Sequence, residues 1–222
     1  MASYADTTQL PTDSTQLPML VASGLSCQRG KRRLFQDLTL RVSAGTALLV
    51  QGANGSGKTS LLRMLAGLTC PTSGQVYWNG TPIRQLGDEY RGQLLYCGHL
   101  NGLKDELSAE ENLMTAAALS GRAVSTTMVR SALRDVGLGG WECLSTRALS
   151  QGQKRRVMLA RLLLDPRPLW VLDEPLTALD ADAVTWLSHV IDLHLQHGGV
   201  AVLTSHQDIA LTGSVQTCRL GS

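Results

Sequence analysis

The chain has 222 residues, of which 43% are hydrophobic and 17% charged, with a formal net charge of +2. That length accommodates one large domain with a sizeable core, and that composition is folded rather than disordered. The near-neutral balance gives no case for nucleic acid as a partner, no stretch approaches the roughly 20 uncharged apolar residues that span a bilayer, and the cysteines show neither a CxxC pair nor metal-ligand spacing.

Cys27, Cys70, Cys97, Cys143 and Cys218 are expected to be reduced thiols of a cytosolic protein. Residues 1–18 carry Asp6 and Asp13, no Lys or Arg, and Thr-Gln-Leu-Pro twice, at 8–11 and 15–18. This segment reads as a flexible polar lead-in rather than a signal peptide, and one domain is expected over 19–222.

In chain order, Met19 to Ser26 predicts a first strand, and the alternation Leu38, Leu40, Val42 a half-buried antiparallel one. Ala47 to Val50 is a short apolar run suited to a central strand covered on both faces. A glycine-rich loop and a helix from about Lys58 to Leu68 follow. Gln75 to Trp78 reads as a strand entering an Asn79-Gly80 turn. From about 100 to 150 the pattern turns helical, with helices expected over Asn112–Leu119 and Val129–Val136. Another helix is expected from Ser150 through Leu164, stopped by Pro166 and Pro168. Leu169–Leu172 and Val200–Thr204 are further buried strands, separated by a helix from Ala183 to Gln196. Strands alternating with helices define an α/β fold with a mostly parallel central sheet, an antiparallel β subdomain and an inserted α-helical subdomain.

Gly52, Ala53, Asn54, Gly55, Ser56, Gly57, Lys58 and Thr59 fit GxxxxGKS/T between a buried strand and a helix, with Ser60 next. The glycines let several backbone N–H groups converge on one phosphate chain, and the helix N-terminus adds a favourable dipole. Lys58 is expected to reach the β- and γ-phosphates, and Thr59 to offer its hydroxyl to Mg²⁺. This motif specifies a P-loop nucleotide site and does not by itself separate kinases, GTPases and ATPases. Asp173 and Glu174 end a buried apolar strand, where ligands bind in α/β sheets. Asp173 is placed to hold Mg²⁺, and Glu174 to take a proton from attacking water as general base.

Leu149, Ser150, Gln151, Gly152 and Gln153 form a variant of the pentapeptide LSGGQ. With it, the chain resembles the ABC family of ATP-binding cassettes from about residue 19 onward. The resemblance implies ATP and Mg²⁺ as ligands, ATP hydrolysis as activity, and a mechanism in trans. Ser150, Gly152 and Gln153 of one cassette would contact the γ-phosphate held by the P-loop of a second copy, closing a homodimer. Ala178, Leu179 and Asp180 resemble the D-loop at that seam. His206 stands where the switch histidine contacts the γ-phosphate and attacking water.

Three positions depart from the family pattern. Gln151 replaces a glycine. Cys27 to Gly30 lacks the usual adenine-stacking aromatic, leaving the Arg29 guanidinium plane. His99 stands where a glutamine is usual. His99, with Gly102 to Leu107 and Glu111-Asn112-Leu113 after it, resembles the haem-exporter branch serving cytochrome c maturation. That branch implies integral membrane subunits of a cytochrome c maturation complex as partners. It also implies peripheral attachment at the cytoplasmic side of the bacterial inner membrane, and hydrolysis coupled to transport or to release of a haem-loaded chaperone. His99 is expected near Mg²⁺, and the stretch from His99 to Glu111 is expected to line the groove that receives the membrane subunit. Two alternatives stay open: a transport ATPase for another cargo, and a soluble ABC ATPase without a transport role. Glu174 and His206 argue against a third, a nucleotide-gated regulator without turnover.

Overall fold

The computed structural model describes residues 20–221, so the expected lead-in at 1–18 and Met19 lie outside the described residues. The hairpin β1 (Leu20–Arg29) and β2 (Arg32–Val42) is followed by β3 (Thr46–Gly52) and α1 (Lys58–Leu65). Next come β4 (Ser73–Trp78), β5 (Thr81–Pro82), α2 (Ile83–Leu86), α3 (Asp88–Gln93) and β6 (Leu94–Cys97). The helices α4 (Ala109–Leu119), α5 (Thr126–Asp135), α6 (Gln151–Leu159) and α7 (Arg161–Leu164) then lead into β7 (Leu169–Leu172). Finally, α8 (Ala181–Gln196), β8 (Val200–Thr204) and β9 (Ser214–Leu220) complete the described fold.

The strands form two sheets. One is antiparallel, in the order β2-β1-β4-β5; the other is parallel throughout, in the order β6-β7-β8-β3-β9. The expected α/β fold with an antiparallel β subdomain is therefore present. Every residue of β7 and β8 is buried, which explains why both read as unbroken apolar runs.

Period two then divides these strands between two cores. Leu169, Val171, Val200 and Val202 face a cluster with α1 and the antiparallel sheet. Trp170, Leu172, Ala201 and Leu203 face a second cluster with α6 and α8. A third cluster, built on Leu113, Val129, Leu133 and Leu138, joins α4 and α5 to Val157 of α6. Helix α6 thus packs against both the sheet and the helical segment. His194 of α8 stacks on Trp170 with ring centroids 3.8 Å apart, its Nε2 lying 3.2 Å from the Val200 carbonyl. Burial pulls this imidazole down to about 4, so it is neutral near pH 7.

Helix α1, the helix expected after Ser150 and strand β2 are among the elements that differ from the sequence expectation. Helix α1 stops at Leu65 because Gly67 takes φ +70°, a left-handed turn that closes the helix end. There the Leu68 N–H reaches the Arg63 carbonyl at 2.8 Å and the Gly67 N–H reaches that of Met64 at 3.0 Å. The helix expected from Ser150 to Leu164 is two pieces, α6 and α7, meeting at Ala160. Strand β2 begins at Arg32, because its charged first half pairs with the end of β1, Gln28 with Arg33 and Arg29 with Arg32.

Candidate active site

The glycine loop after β3 delivers its chain into α1 with Gly57 as N-cap. No side chain caps this helix, and no acidic residue occupies its first turn. The first amides of α1 are thus left free to meet an anion. Lys58, only 8% exposed, donates from Nζ to the Gly52 carbonyl at 2.8 Å and lies 3.3 Å from His206 Nε2.

Strand β7 delivers the two carboxylates. The Asp173 N–H donates to the Cys97 carbonyl at 2.8 Å, which carries the β6–β7 pairing one step past the strands. Asp173 Oδ1 accepts from the Thr204 hydroxyl at 2.9 Å and from Thr59 Oγ1 at 3.3 Å. Asp173 Oδ2 is buried and has no hydrogen-bond partner among the described residues. An unpartnered buried carboxylate oxygen beside a hydroxyl is a hard-oxygen set that suits a divalent cation.

Glu174 follows with φ +50°, an uncommon conformation for a residue with a side chain. Its N–H donates to Thr204 Oγ1 at 2.8 Å, and its Oε1 lies 3.4 Å from His206 Nε2. One residue of β8, Thr204, therefore braces both carboxylate-bearing positions.

Asn54, Gly55, Gly57, Lys58, Thr59, Ser60, His99, Glu174 and His206 line one cleft of about 670 Å³, a size suited to a small-molecule site. Gly52 and Ala53 contribute carbonyls to Lys58, and the Ser56 N–H closes the loop onto Ala53 at 3.1 Å. Arg29, Arg32 and Leu34 line the same cleft from β1 and β2. Arg29 was foreseen, whereas Arg32 and Leu34 were not. Both sit in the half of β2 that only strand pairing reveals.

Ser150, Gly152, Gln153 and Asp180 do not line that cleft. Ser150 caps α6 through a reciprocal pair: its Oγ accepts from the Gln153 N–H at 3.2 Å, and Gln153 Oε1 accepts from the Ser150 N–H at 2.8 Å. A Cβ on Gly152 would lie 2.5 Å from the Ala178 carbonyl, so a glycine is needed here for close approach. Gln151, the departure from the family pattern, is exposed on the first turn and leaves this contact intact. Asp180 caps α8 by accepting from the Ala183 N–H at 3.0 Å, and also pairs with Arg156 of α6. Lys154 of α6 pairs with Asp105 at 2.7 Å, and this hydrogen bond holds the Asp105 carboxyl below its usual range.

Arg155 was missed from sequence. It is 3% exposed and donates to the carbonyls of Asp173 (2.7 Å), Gly98 (3.0 Å), His99 (3.4 Å) and Pro175 (3.4 Å), and also to that of Glu174. Burial pulls its guanidinium below the usual range, against the opposing pull of Cys97, Asp173 and Glu174. A faint sequence signal exists: Arg155 lies three, four and seven positions before the buried Met158, Leu159 and Leu162, on an apolar helical stripe.

A P-loop, a carboxylate pair at the end of β7 and the capped helix α6, the signature helix that begins in the LSGGQ-like pentapeptide, define an ATP-binding cassette. Residues 35–177 match the family described as ABC transporter, and the chain belongs to that family as one of its ATPase cassettes. It is 52% identical to the cytochrome c biogenesis ATP-binding export protein CcmA of Dechloromonas aromatica, over 91% of this chain and 100% of that protein. It is 53% identical to the protein of the same name from Pseudomonas aeruginosa, over 92% of this chain and 100% of that protein. Its fold is similar to that of a putative ABC transporter ATP-binding protein from Pyrococcus furiosus. That match has a TM-score of 0.77 and 26% identity, covering 89% of this chain and 96% of that one.

Proposed function

We propose that this chain is the ATP-hydrolysing subunit of a membrane export complex serving cytochrome c biogenesis. The observation that carries the reading is the buried, unpartnered Asp173 oxygen beside Thr59, with Glu174 next in line, in a chain half identical to named cytochrome c biogenesis export proteins.

In this reading ATP binds with its phosphates at the N-terminus of α1, where Lys58 exchanges its loop carbonyls for phosphate oxygens. Thr59 and Asp173 are the residues that would hold Mg²⁺, which when bound supplies charge neutralisation on the β- and γ-phosphates. Glu174 accepts a proton from water as that oxygen attacks the γ-phosphorus and the bond to the bridging β–γ oxygen breaks. His206, within reach of both Lys58 and Glu174, orients the γ-phosphate and the water. Ser150, Gly152, Gln153 and Asp180 act on a second copy's nucleotide, so the working unit is a pair of cassettes.

The chain works at the cytoplasmic side of the bacterial inner membrane, attached peripherally through integral membrane subunits. The helical subdomain extends over about 100–150, and the segment from His99 to Glu111 faces the membrane subunit.

The test is covalently bound haem in c-type cytochromes of cells carrying Lys58→Ala. Loss of that haem, with the subunit at normal level, is the expected result. Normal haem attachment with ATP hydrolysis confirmed absent, and with no redundant maturation route, would reject the biogenesis role and leave an ABC ATPase for another cargo.

A further inference from the structure

The Asp173–Pro175 segment, the loop after β6 and helix α6 are distant in sequence, yet one guanidinium joins them. We infer that Arg155 is a positioning residue: it holds Glu174 in hydrolytic geometry and ties that geometry to the segment Gly98–Asn101 and to the signature helix. The inference rests on the reading of Glu174 as general base.

Burying a cation is costly unless its donors are matched. Here they are matched almost wholly by backbone. On one side Arg155 reaches the carbonyls of Asp173, Glu174 and Pro175. On the other it reaches the carbonyls of Gly98 and His99, and Asn101 Oδ1 at 3.3 Å. Arginine offers five N–H donors in a planar fork, whereas lysine offers a point charge with three. The fork therefore fixes the relative position of two segments as well as satisfying each.

Glu174 has φ +50°, and such a conformation persists only where its surroundings over-determine it. The bonds from Arg155 to the carbonyls of Asp173, Glu174 and Pro175, with Thr204 holding the Glu174 N–H, supply that constraint. Arg155 stands on α6, whose N-cap is Ser150 and whose first turn carries Gly152. A shift of α6 or of Gly98–Asn101 thus reaches the general base through one side chain.

The experiment compares Arg155→Lys and Arg155→Met with wild type in the intact complex, purified through a tag on this chain. It measures steady-state ATP hydrolysis, nucleotide affinity and amide hydrogen exchange. We expect kcat to fall about tenfold to a hundredfold in Arg155→Lys with ATP affinity changed by less than about twofold, as misplacement of a catalytic group does. Exchange should quicken in both 98–101 and 173–177 while α1 is unaffected.

Unchanged kcat in folded Arg155→Lys overturns the proposal. So does a parallel loss of kcat and ATP affinity, which marks general loosening, and so does faster exchange confined to one of the two segments. If Arg155→Met does not assemble, Arg155→Lys decides. Full hydrolysis in Glu174→Gln would instead sink the reading of Glu174, whatever Arg155 does.

Discussion

Two helix N-termini in this chain are the ones proposed to meet phosphate, and they are finished in different ways. The start of α1 has a glycine cap, no capping side chain, and a lysine turned back on its own loop carbonyls. The start of α6 is closed by the reciprocal pair of Ser150 and Gln153. One end leaves its first amides for a ligand to satisfy; at the other, the Gln153 N–H is already taken by the Ser150 cap before any ligand arrives. The difference separates two tasks. The α1 end must gain most from nucleotide, so its polar groups are held in reserve. In the proposed pairing of cassettes, the α6 end keeps its shape while a second copy approaches. Ser150 Oγ is spent as an acceptor in the cap, but its own hydrogen is still available to donate.

If the two ends divide the work in this way, changes at one must leave the other's property untouched. The largest effect belongs to Glu174→Gln at the α1 end. It removes the proposed proton acceptor but keeps size and polarity. Phosphate release at saturating ATP should fall by about 10²- to 10⁴-fold, with ATP affinity kept. A fall in affinity of similar size would merge binding and chemistry at that end.

Gly152→Ala should come next. Its Cβ would sit 2.5 Å from the Ala178 carbonyl, so either α6 or the segment before Asp180 must move. Overpacking of this kind costs about 1–3 kcal/mol. Hydrolysis by the paired cassettes should drop about tenfold or more, while nucleotide binding by the separate chain holds. Equal loss of binding would mean that strain at α6 reaches the P-loop, and the comparison would break.

Much of this contrast could be read from sequence, because both ends advertise themselves locally. A buried run followed by GxxxxGKT, and Ser150 with Gln153 three residues on, are short-range patterns with a short-range cause. Asp173 and Glu174 were legible for the same reason. Strands β6 and β9 were not. β6 has only Leu94 to Cys97 and exists because β7 offers it an edge. β9 pairs along the whole of β3 yet is mostly exposed and polar, so it lacks the apolar run that marked β7 and β8. Arg155 was illegible for a deeper reason. Its acceptors are backbone carbonyls, which every residue has, so no residue type in 98–101 or 173–175 marks them.

The smallest expected effect sharpens the comparison most, because Ser150 has two jobs that can be separated. Ser150→Ala removes the cap acceptor, which costs about 1 kcal/mol. For a chain of this size that lowers the melting temperature by about 2–4 °C. Ser150→Asp restores a strong cap, since Asp and Ser are comparable at this position. It cannot restore the second job, because a carboxylate donates no hydrogen and repels a phosphate. The expected pattern is a melting temperature recovered in Ser150→Asp with hydrolysis by the paired cassettes still lost, read by thermal melts and phosphate release on the same preparations. Recovery of both would reduce Ser150 to a cap and leave the closed end of α6 without a role in the second copy's chemistry. Recovery of neither would show that the cap depends on the hydroxyl itself.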